Sequence, residues 1–282
     1  MKGKKLASFL FSVIILQMFE KRRIKQLIYG GGYLAVIFLI LFAVYSIWLK
    51  SAATCSDNRK NQKEIGVDCG GPCQACEIKT LSPIAINWTK YFSADPKTIV
   101  AAEIKNSNSS YGARKFTYTF DIYDKKGEKI KTLIRSSFIY PEEIKYLVEF
   151  LEINPKEIGN VQISFADFND FDWLAKEDFS KPEIESREIT VKINSIDNKI
   201  EIKGIANNKS AFSLSKIKII AFLKTADNMF ISVSQTELEN LAAFDSKSFT
   251  VSFPKNVGLI SSTSSVFLAD PNKTKIYIEA AR

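Results

Sequence analysis

The sequence has no histidine in its 282 residues. This absence excludes catalysis by a Ser-His-Asp triad or a histidine general base, and it excludes metal sites with histidine ligands. Cysteine is also scarce, and all four copies fall within residues 55–76. The apolar fraction of 46% and the charged fraction of 25% are ordinary for folded proteins, so the chain is not largely disordered. Its length allows about two domains with cores of their own.

Charged residues are absent from residues 27–49, a run of 23 residues that also lacks proline. As a helix with a rise of about 1.5 Å per residue, the run is roughly 34 Å long, enough to cross a hydrocarbon core of about 30 Å. A buried helix of a soluble protein rarely runs this long without a polar face. The run therefore predicts a transmembrane helix, with the lipid bilayer as a partner. Aromatic residues lie near both of its ends, as at a membrane interface: Tyr29, Tyr33, Tyr45 and Trp48.

The net charge of +8 is concentrated at the N-terminus. Residues 1–26 hold seven bases and one acid, whereas residues 50–282 hold 32 bases and 30 acids. Basicity confined to this end favours a membrane contact and gives no reason to expect a nucleic-acid partner. By the positive-inside rule the N-terminus is cytoplasmic and residues 50–282 are extracytoplasmic, since the bases next to the span are Arg22, Arg23 and Lys25.

The basic cytoplasmic segment, residues 1–26, contains a shorter apolar run, Leu6–Phe19. These 14 residues are too few to span a bilayer comfortably, and we predict a short interfacial helix. We expect the span at 27–49 to be an uncleaved signal anchor, because it is longer than the 7–15 apolar residues (roughly) of a signal peptide. Ser51-Ala52-Ala53 offers a cleavage site, which leaves a cleaved signal as the alternative.

The cysteines define a small module at residues 50–79, with the spacing C-x13-C-x3-C-x2-C. Outside the cytoplasm, an even set of clustered cysteines is most simply two disulfides. Zinc and a redox-active CxxC are the alternatives, but a zinc site usually has two CxxC knuckles and only one is present. Four cysteines allow three pairings, and the sequence does not choose among them. The predicted disulfide residues are Cys55, Cys69, Cys73 and Cys76.

The segment CSDNRKNQKEIGVDCGGPCQAC resembles a recurrent extracytoplasmic cysteine module with the pattern N…E…G-[VI]-D-C-G-G-x-C-x-x-C. Such modules occur in bacterial surface and membrane-anchored proteins, those of candidate phyla included. The resemblance implies a location and brings no activity. Oxygen ligands for Ca²⁺ are also available in this segment, but their spacing is not that of an EF-hand, and turn or capping roles are the simpler interpretation. These residues are Asp57, Asn61, Glu64 and Asp68.

From about residue 83 the pattern changes to short β-type runs separated by turn residues. Alternating apolar residues at 116–122 predict a half-buried strand, and Asp124–Gly127 predicts a hairpin turn. In residues 80–182 the predicted strands are Thr98–Lys105, Lys115–Tyr123, Glu128–Ile134, Ile144–Leu151 and Val161–Phe165. In residues 183–282 they are Ile189–Ile193, Ile200–Ala206, Lys216–Leu223, Phe230–Thr236, Ser248–Phe253 and Lys275–Ile278.

The two sets of strands superpose in sequence, which predicts one architecture used twice. An offset of 101 places Asn106 on Asn207, Tyr118 on Ile219 and Gly127 on Asn228. An offset of 103 places Tyr146 on Phe249 and Val148 on Val251. Short strands without long helices fit two tandem antiparallel β-sandwiches of immunoglobulin-like class. The predicted fold is therefore mainly β, with an N-terminal transmembrane helix and a small disulfide-rich module.

The strand Phe120-Asp121-Ile122-Tyr123-Asp124 resembles the signature of FxLYD-type domains, with Ile in place of Leu. These are small immunoglobulin-like β-sandwiches of extracytoplasmic bacterial and archaeal proteins. The second domain keeps the register at residues 221–225 but lacks the motif. The resemblance implies the fold and a binding or spacer role, and it brings no catalytic residues. Phosphate-binding GxxxxGK[ST], GxSxG, HExxH and GxGxxG motifs are all absent.

The sequence therefore predicts a non-enzymatic, single-pass, membrane-anchored envelope or cell-surface protein. Its two sandwiches would serve a protein or glycan partner outside the cytoplasm, without a cofactor or a small-molecule substrate. The alternative is an accessory subunit of a membrane-embedded secretion or pilus-type assembly, in which the N-terminal residues contact other subunits.

Overall fold

The computed structural model describes residues 3–46, 55–61, 63–94, 96–194, 199–255, 257, 259–261, 264–267 and 269–280. The chain divides into two compact units, residues 1–75 and residues 76–282. The first unit contains a long helix and most of the cysteine module. The second contains all of the β-strands.

One continuous helix, α1, extends over Gly3–Val44. We predicted a short interfacial helix at Leu6–Phe19; this segment is helical and continuous with the predicted span, and its place at a membrane interface stays a prediction. No proline interrupts the first 44 residues, and the basic residues between the two apolar runs are good helix formers, so nothing ends the first helix. Residues Ile24–Val44 form a 21-residue apolar stretch, long enough to cross a membrane and 0% buried within the chain. Residues 47–49 of the predicted span lie outside the described residues.

The first sandwich contains seven strands in two antiparallel sheets. The first sheet has the order β1-β2-β5, and the second has the order β4-β3-β6, with β7 paired to the start of β3. The strands are β1 (Ala85–Ala94), β2 (Lys97–Lys105), β3 (Tyr111–Asp124), β4 (Lys129–Ile139), β5 (Ile144–Leu151), β6 (Ile158–Phe165) and β7 (Asp172–Ala175). All five predicted strands are confirmed. The prediction omitted β1, whose apolar alternation is interrupted at Lys90, and the four-residue β7.

The second sandwich contains a third sheet of order β12-β9-β8 and a fourth sheet of order β11-β10-β15. A small hairpin of two further strands, β13 and β14, lies between β12 and β15 in the sequence. The six predicted strands are again confirmed. The strands are β8 (Ile184–Asn194), β9 (Lys199–Asn208), β10 (Leu214–Lys224), β11 (Phe230–Leu241), β12 (Ser246–Ser252), β13 (Leu259–Ser261), β14 (Ser264–Phe267) and β15 (Lys275–Ala280).

Local patterns explain the long central strand of each sandwich and the turn that follows it. Phe116, Tyr118, Phe120 and Ile122 of β3 are buried, and the residues between them are more exposed, as the alternation predicted. The turn residue Gly127 has φ = 86°. Its predicted counterpart Asn228 has φ = 63°, a left-handed conformation that Asn tolerates better than most residues. Both hairpins therefore turn at matching positions.

A buried asparagine holds the same place in each sandwich. The Asn106 side chain donates to the carbonyls of Tyr111 (2.8 Å) and Tyr140 (3.1 Å). The Asn208 side chain donates to the carbonyls of Phe212 and Ala242, both at 2.9 Å. Each amide oxygen also accepts the backbone N–H two residues ahead. The structure thus matches Asn106 with Asn208, one residue beyond the predicted Asn207, because a register error of one turns a side chain to the other face.

The offset of 103 between β5 and β12 is wrong for the same reason. Phe249 and Val251 belong to the core of the second sandwich. Tyr146 and Val148 belong instead to a different cluster, shared between the two sandwiches. The true counterpart of Phe249 on the core side is Leu147, which is 3% exposed. That one architecture is used twice stays a prediction.

Replacing either asparagine by alanine is expected to cost about 2–3 kcal/mol, because two buried carbonyls lose their donors. Urea unfolding of the full chain in detergent micelles measures the change for Asn106→Ala and Asn208→Ala. Asn272→Ala is the matched control, since Asn272 is exposed, and we expect a change within about 0.5 kcal/mol. Equal stability of all three variants would show that the two asparagines carry no structural role.

Candidate functional site

Helix α1 and the turn after it expose the predicted interfacial residues that the structure describes. Lys25, Tyr29, Tyr33 and Tyr45 all lie on α1 or its last turn and are exposed. Lys25 and Tyr45 are twenty residues apart, which in a helix is about 30 Å, the thickness of a hydrocarbon core. Trp48 lies outside the described residues. Arg22 and Arg23 belong to α1, but their side chains are outside what the structure describes.

All four cysteines form disulfides, as predicted. Cys55 is bonded to Cys73, with Cα atoms 5.6 Å apart, and no cysteine is free. Cys69 and Cys76 are disulfide-bonded as well, so the pairing that the sequence left open is decided. With every sulfur in a disulfide, neither a thiolate zinc site nor a reduced CxxC is present.

Between Cys55 and Cys73, the calcium candidates act as caps for the backbone. Asp68 accepts the backbone N–H groups of Asp57 and Asn58, both at 2.9 Å. Glu64, which is buried, accepts those of Asn61 and Asp68, both at 3.1 Å. The Asn61 amide in turn donates to Asp57 at 2.7 Å. These bonds support the turn and capping interpretation rather than a calcium site.

The carboxylate of Glu64 also lies against the disulfide, with Oε1 3.2 Å from Cys73 Sγ. Ligand-type atoms of Glu64, Cys55 and Cys73 lie within 4.8 Å of one another, a grouping that can resemble a metal centre. Because the two sulfurs are bonded to each other, they offer no thiolate to an ion. The grouping is therefore the packed centre of the module.

The Gly-Gly pair of the module is required by close backbone packing. Gly70 and Gly71 have φ of 76° and 63°. A Cβ on Gly70 would lie 2.7 Å from the Ile65 side chain, and one on Gly71 would lie 2.6 Å from the Lys63 carbonyl. Only glycine fits both the conformation and the space.

The two sandwiches are joined by an apolar interface that the sequence analysis missed. The first and fourth sheets pack face to face through buried residues of β1, β2, β5, β10 and β11. At its centre Phe222 contacts the rings of Tyr146 and Phe230, with centroids 4.7 and 5.3 Å apart. Trp88 packs on Phe230 at 5.0 Å. The sandwiches therefore form four stacked sheets rather than two domains without a shared interface.

Polar and charged side chains from the last strand, β15, complete this interface. The Lys145 ammonium, fully buried, lies 2.9 Å from the Glu279 carboxylate and 3.6 Å from the centre of the Phe138 ring. Glu143, also buried, accepts the Tyr277 hydroxyl at 2.6 Å and lies 2.7 Å from the Lys181 ammonium. These contacts link side chains of the first sandwich to strand β15 of the second sandwich.

Burial shifts the protonation of the groups in this interface. It lowers the pKa of Lys145, an effect that the Glu279 and Glu143 carboxylates oppose. It raises the pKa of Tyr277, and the neighbouring Glu143 raises it further. Burial also disfavours the charged form of Glu103, but hydrogen bonds from Tyr146 and Asn87 outweigh it and lower that pKa. The tyrosine hydroxyls thus stay protonated donors at neutral pH.

Two open clefts lie at the surface of residues 76–282. One, of about 400 Å³, follows the margin of the interface between β1 and β11, with Lys90, Tyr91 and Phe230 in its wall. The other, of about 480 Å³, lies at the end of the first sandwich beside the Asp124–Gly127 turn. Its wall is rich in lysine, a feature that motif searches cannot detect because its residues come from separate turns.

Comparisons with known proteins identify no family. No protein-family model matches the chain, and no curated protein matches it. Red sea bream transglutaminase is similar over 71% of this chain, at 10% identity and a TM-score of 0.21. Amycolatopsis orientalis exo-chitosanase is similar over 70%, at 9% identity and a TM-score of 0.25. Bacteroides uniformis β-glucuronidase is similar over 56%, at 8% identity and a TM-score of 0.18.

The chain spans 29%, 25% and 21% of the length of these three proteins, respectively. Likenesses this distant carry no argument about activity.

Proposed function

We propose that this chain is a non-enzymatic, single-pass, membrane-anchored envelope or cell-surface protein. Its two stacked sandwiches present a surface for a protein or glycan partner outside the cytoplasm. The observation that carries the proposal is the apolar stretch Ile24–Val44, which is 0% buried within the chain and is followed by a disulfide-bonded module. An exposed apolar helix needs lipid around it, and disulfides persist in oxidising compartments.

The use of the polar groups supports a binding role rather than catalysis. Within the described residues, several groups of the kinds used in catalysis have structural partners instead. Glu64 caps the backbone, Lys145 is paired with Glu279, and the cysteines are bonded. The two clefts are open troughs rather than enclosed pockets that would exclude water from a reaction.

The long helix also favours a second candidate, an accessory subunit of a membrane-embedded secretion or pilus-type assembly. Helix α1 begins at Gly3, about twenty residues before the apolar stretch. A helix of 42 residues offers a continuous surface to other membrane subunits. Exchange of residues 1–49 for an unrelated anchor distinguishes the two candidates. The exchange would abolish co-purification of this chain with other membrane subunits only if the helix contacts those subunits.

The anchoring proposal is tested by thiol labelling of the full chain in native membranes. We expect the cysteines to resist a membrane-impermeant alkylating reagent until reductant is added. The unreduced chain should be about 4 Da lighter than the reduced one, since each disulfide removes two hydrogens. Extraction of the chain by alkaline carbonate, or free labelling without reductant, would contradict the anchored, extracytoplasmic arrangement.

A further inference from the structure

We propose that the cleft at the end of the first sandwich binds an anionic polysaccharide. This goes beyond anchoring and deepens the proposed interaction role, on which it rests for the choice of ligand. The cleft, of about 480 Å³, lies between the β3–β4 turn and the turn at residues 153–157. Four lysines line it with two carboxylates, giving a net charge of +2: Lys125, Lys126, Lys131 and Lys156, with Asp124 and Glu157.

These four ammonium groups lie together in one cleft and have no carboxylate partner in the part of the chain that the structure describes. Among the residues that the structure describes, none of them forms an ion pair, whereas the adjacent Lys129 is paired with Asp121 at 2.9 Å and Lys97 with Glu152 at 2.5 Å. Asp124 is itself engaged, because its Oδ1 accepts the backbone N–H groups of Lys126 (2.8 Å) and Glu128 (2.9 Å). The positive charge of the cleft is therefore available to a ligand.

The charge is also local. Residues 76–282 contain 28 basic and 27 acidic residues, so the second unit is nearly neutral as a whole. A cluster of unpaired lysines on such a background attracts anions to one place. Exposed lysine–anion contacts are individually weak, so useful affinity needs a ligand that reaches several of them at once.

The shape and lining of the cleft favour a polysaccharide over other polyanions. The cleft is an open trough, which admits a chain lying across it. Ile130 and Ile153 supply an apolar surface between the lysines, suited to the carbon face of a sugar ring. No aromatic side chain lines the cleft, whereas single-stranded nucleic acids are usually held by stacking on aromatic rings. The ligand class is a sulfated, phosphorylated or uronic-acid-containing glycan.

The test measures binding of dextran sulfate, with uncharged dextran as its matched polymer, to the full chain in detergent micelles. We expect dextran sulfate to bind and dextran not to bind. Changing Lys125, Lys126, Lys131 and Lys156 together to glutamine should weaken binding at least about tenfold. The matched control changes four exposed lysines elsewhere to glutamine, and should weaken binding less than about threefold: Lys105, Lys115, Lys192 and Lys255.

Two results would overturn the proposal. Equal loss in the two quadruple variants would mean that dextran sulfate responds to net charge alone, and tighter binding of an oligothymidylate of matched charge would mean that the ligand is not a glycan. Thermal unfolding of each variant confirms that it is folded. Failure here leaves anchoring intact, because thiol labelling reports the topology independently of this cleft.

Discussion

Replacing Phe222 by alanine is expected to lower the free energy of unfolding by about 3–5 kcal/mol, the usual cost of deleting a buried aromatic ring. Phe222 is 0% exposed; it contacts Trp88 and Tyr146 across the interface and Phe230 in its own sheet. Its loss opens a cavity where the two sandwiches meet. We therefore expect unfolding in urea to change from one transition to two, since each sandwich keeps its own core. Tryptophan fluorescence, to which Trp88 in this interface contributes, follows the transitions.

Phe244 provides the matched control, because it is 72% exposed. Phe244→Ala is expected to change stability by less than about 0.5 kcal/mol. If Phe222→Ala behaves like the control, the two sandwiches do not depend on each other for stability. The four-sheet arrangement would then not be the state of the protein in solution.

Replacing Glu279 by glutamine is expected to cost about 3–5 kcal/mol, because it leaves the ammonium of Lys145 buried without its carboxylate. Lys145 is 0% exposed, and Glu279 lies 2.9 Å from it. Glu143 and Lys218 also act on this ammonium, one favouring and the other opposing its charge. Glu279 favours this charge more than Glu143 does and also hydrogen-bonds it, so Glu143 alone replaces the lost partner only in part. Urea unfolding of the full chain in detergent micelles measures the difference.

The double variant Lys145→Met with Glu279→Leu tests whether the ion pair itself stabilises the fold or is only costly to break. Removing both charges is expected to be neutral or stabilising, because the ion pair no longer has to be taken out of water. Glu152→Gln is the exposed control, since the Lys97–Glu152 pair is 51% and 75% exposed, and its loss should cost at most about 1 kcal/mol. A small effect of Glu279→Gln would mean that water reaches Lys145.

The anion-binding proposal and the interface predictions concern different parts of the molecule. The lysine-rich cleft lies at the end of the first sandwich that holds the Asp124–Gly127 turn. Phe222 and the Lys145–Glu279 pair lie where the two sandwiches meet. Variants at one place therefore should not disturb the other, and measurements of binding and stability can be made on the same set of proteins.

The sequence by itself determined the local features of this protein. An uncharged run of apolar residues gives an exposed apolar helix, because backbone bonds are satisfied within it. Alternation at Phe116–Ile122 gives a half-buried strand, and Asp124–Gly127 gives a hairpin turn with φ = 86° at the glycine. Each of these features depends on residues that are close in the sequence, so short sequence segments are enough to predict it. The four disulfide cysteines were predicted together because they are clustered within residues 55–76.

The sequence contains one signal of the interface between the two sandwiches. The run Ile219–Leu223 is apolar at every position, and all five residues are buried. A strand with one solvated face alternates, whereas a strand covered on both faces is apolar throughout. Residues 99–102 of β2 show the same continuous pattern. The pattern shows that a second face is covered, but it does not say by what.

Only the tertiary structure decided which faces meet. It placed Tyr146 and Val148 against the fourth sheet rather than in the core of their own sandwich, because side chains one residue apart point to opposite faces. It paired Cys55 with Cys73 and Lys145 with Glu279, and it gathered lysines from two turns and from strand β4 into one cleft. These contacts join residues distant in the chain, and no local pattern encodes their distance. The helices and strands follow from local sequence patterns, whereas the contacts between them follow from tertiary packing.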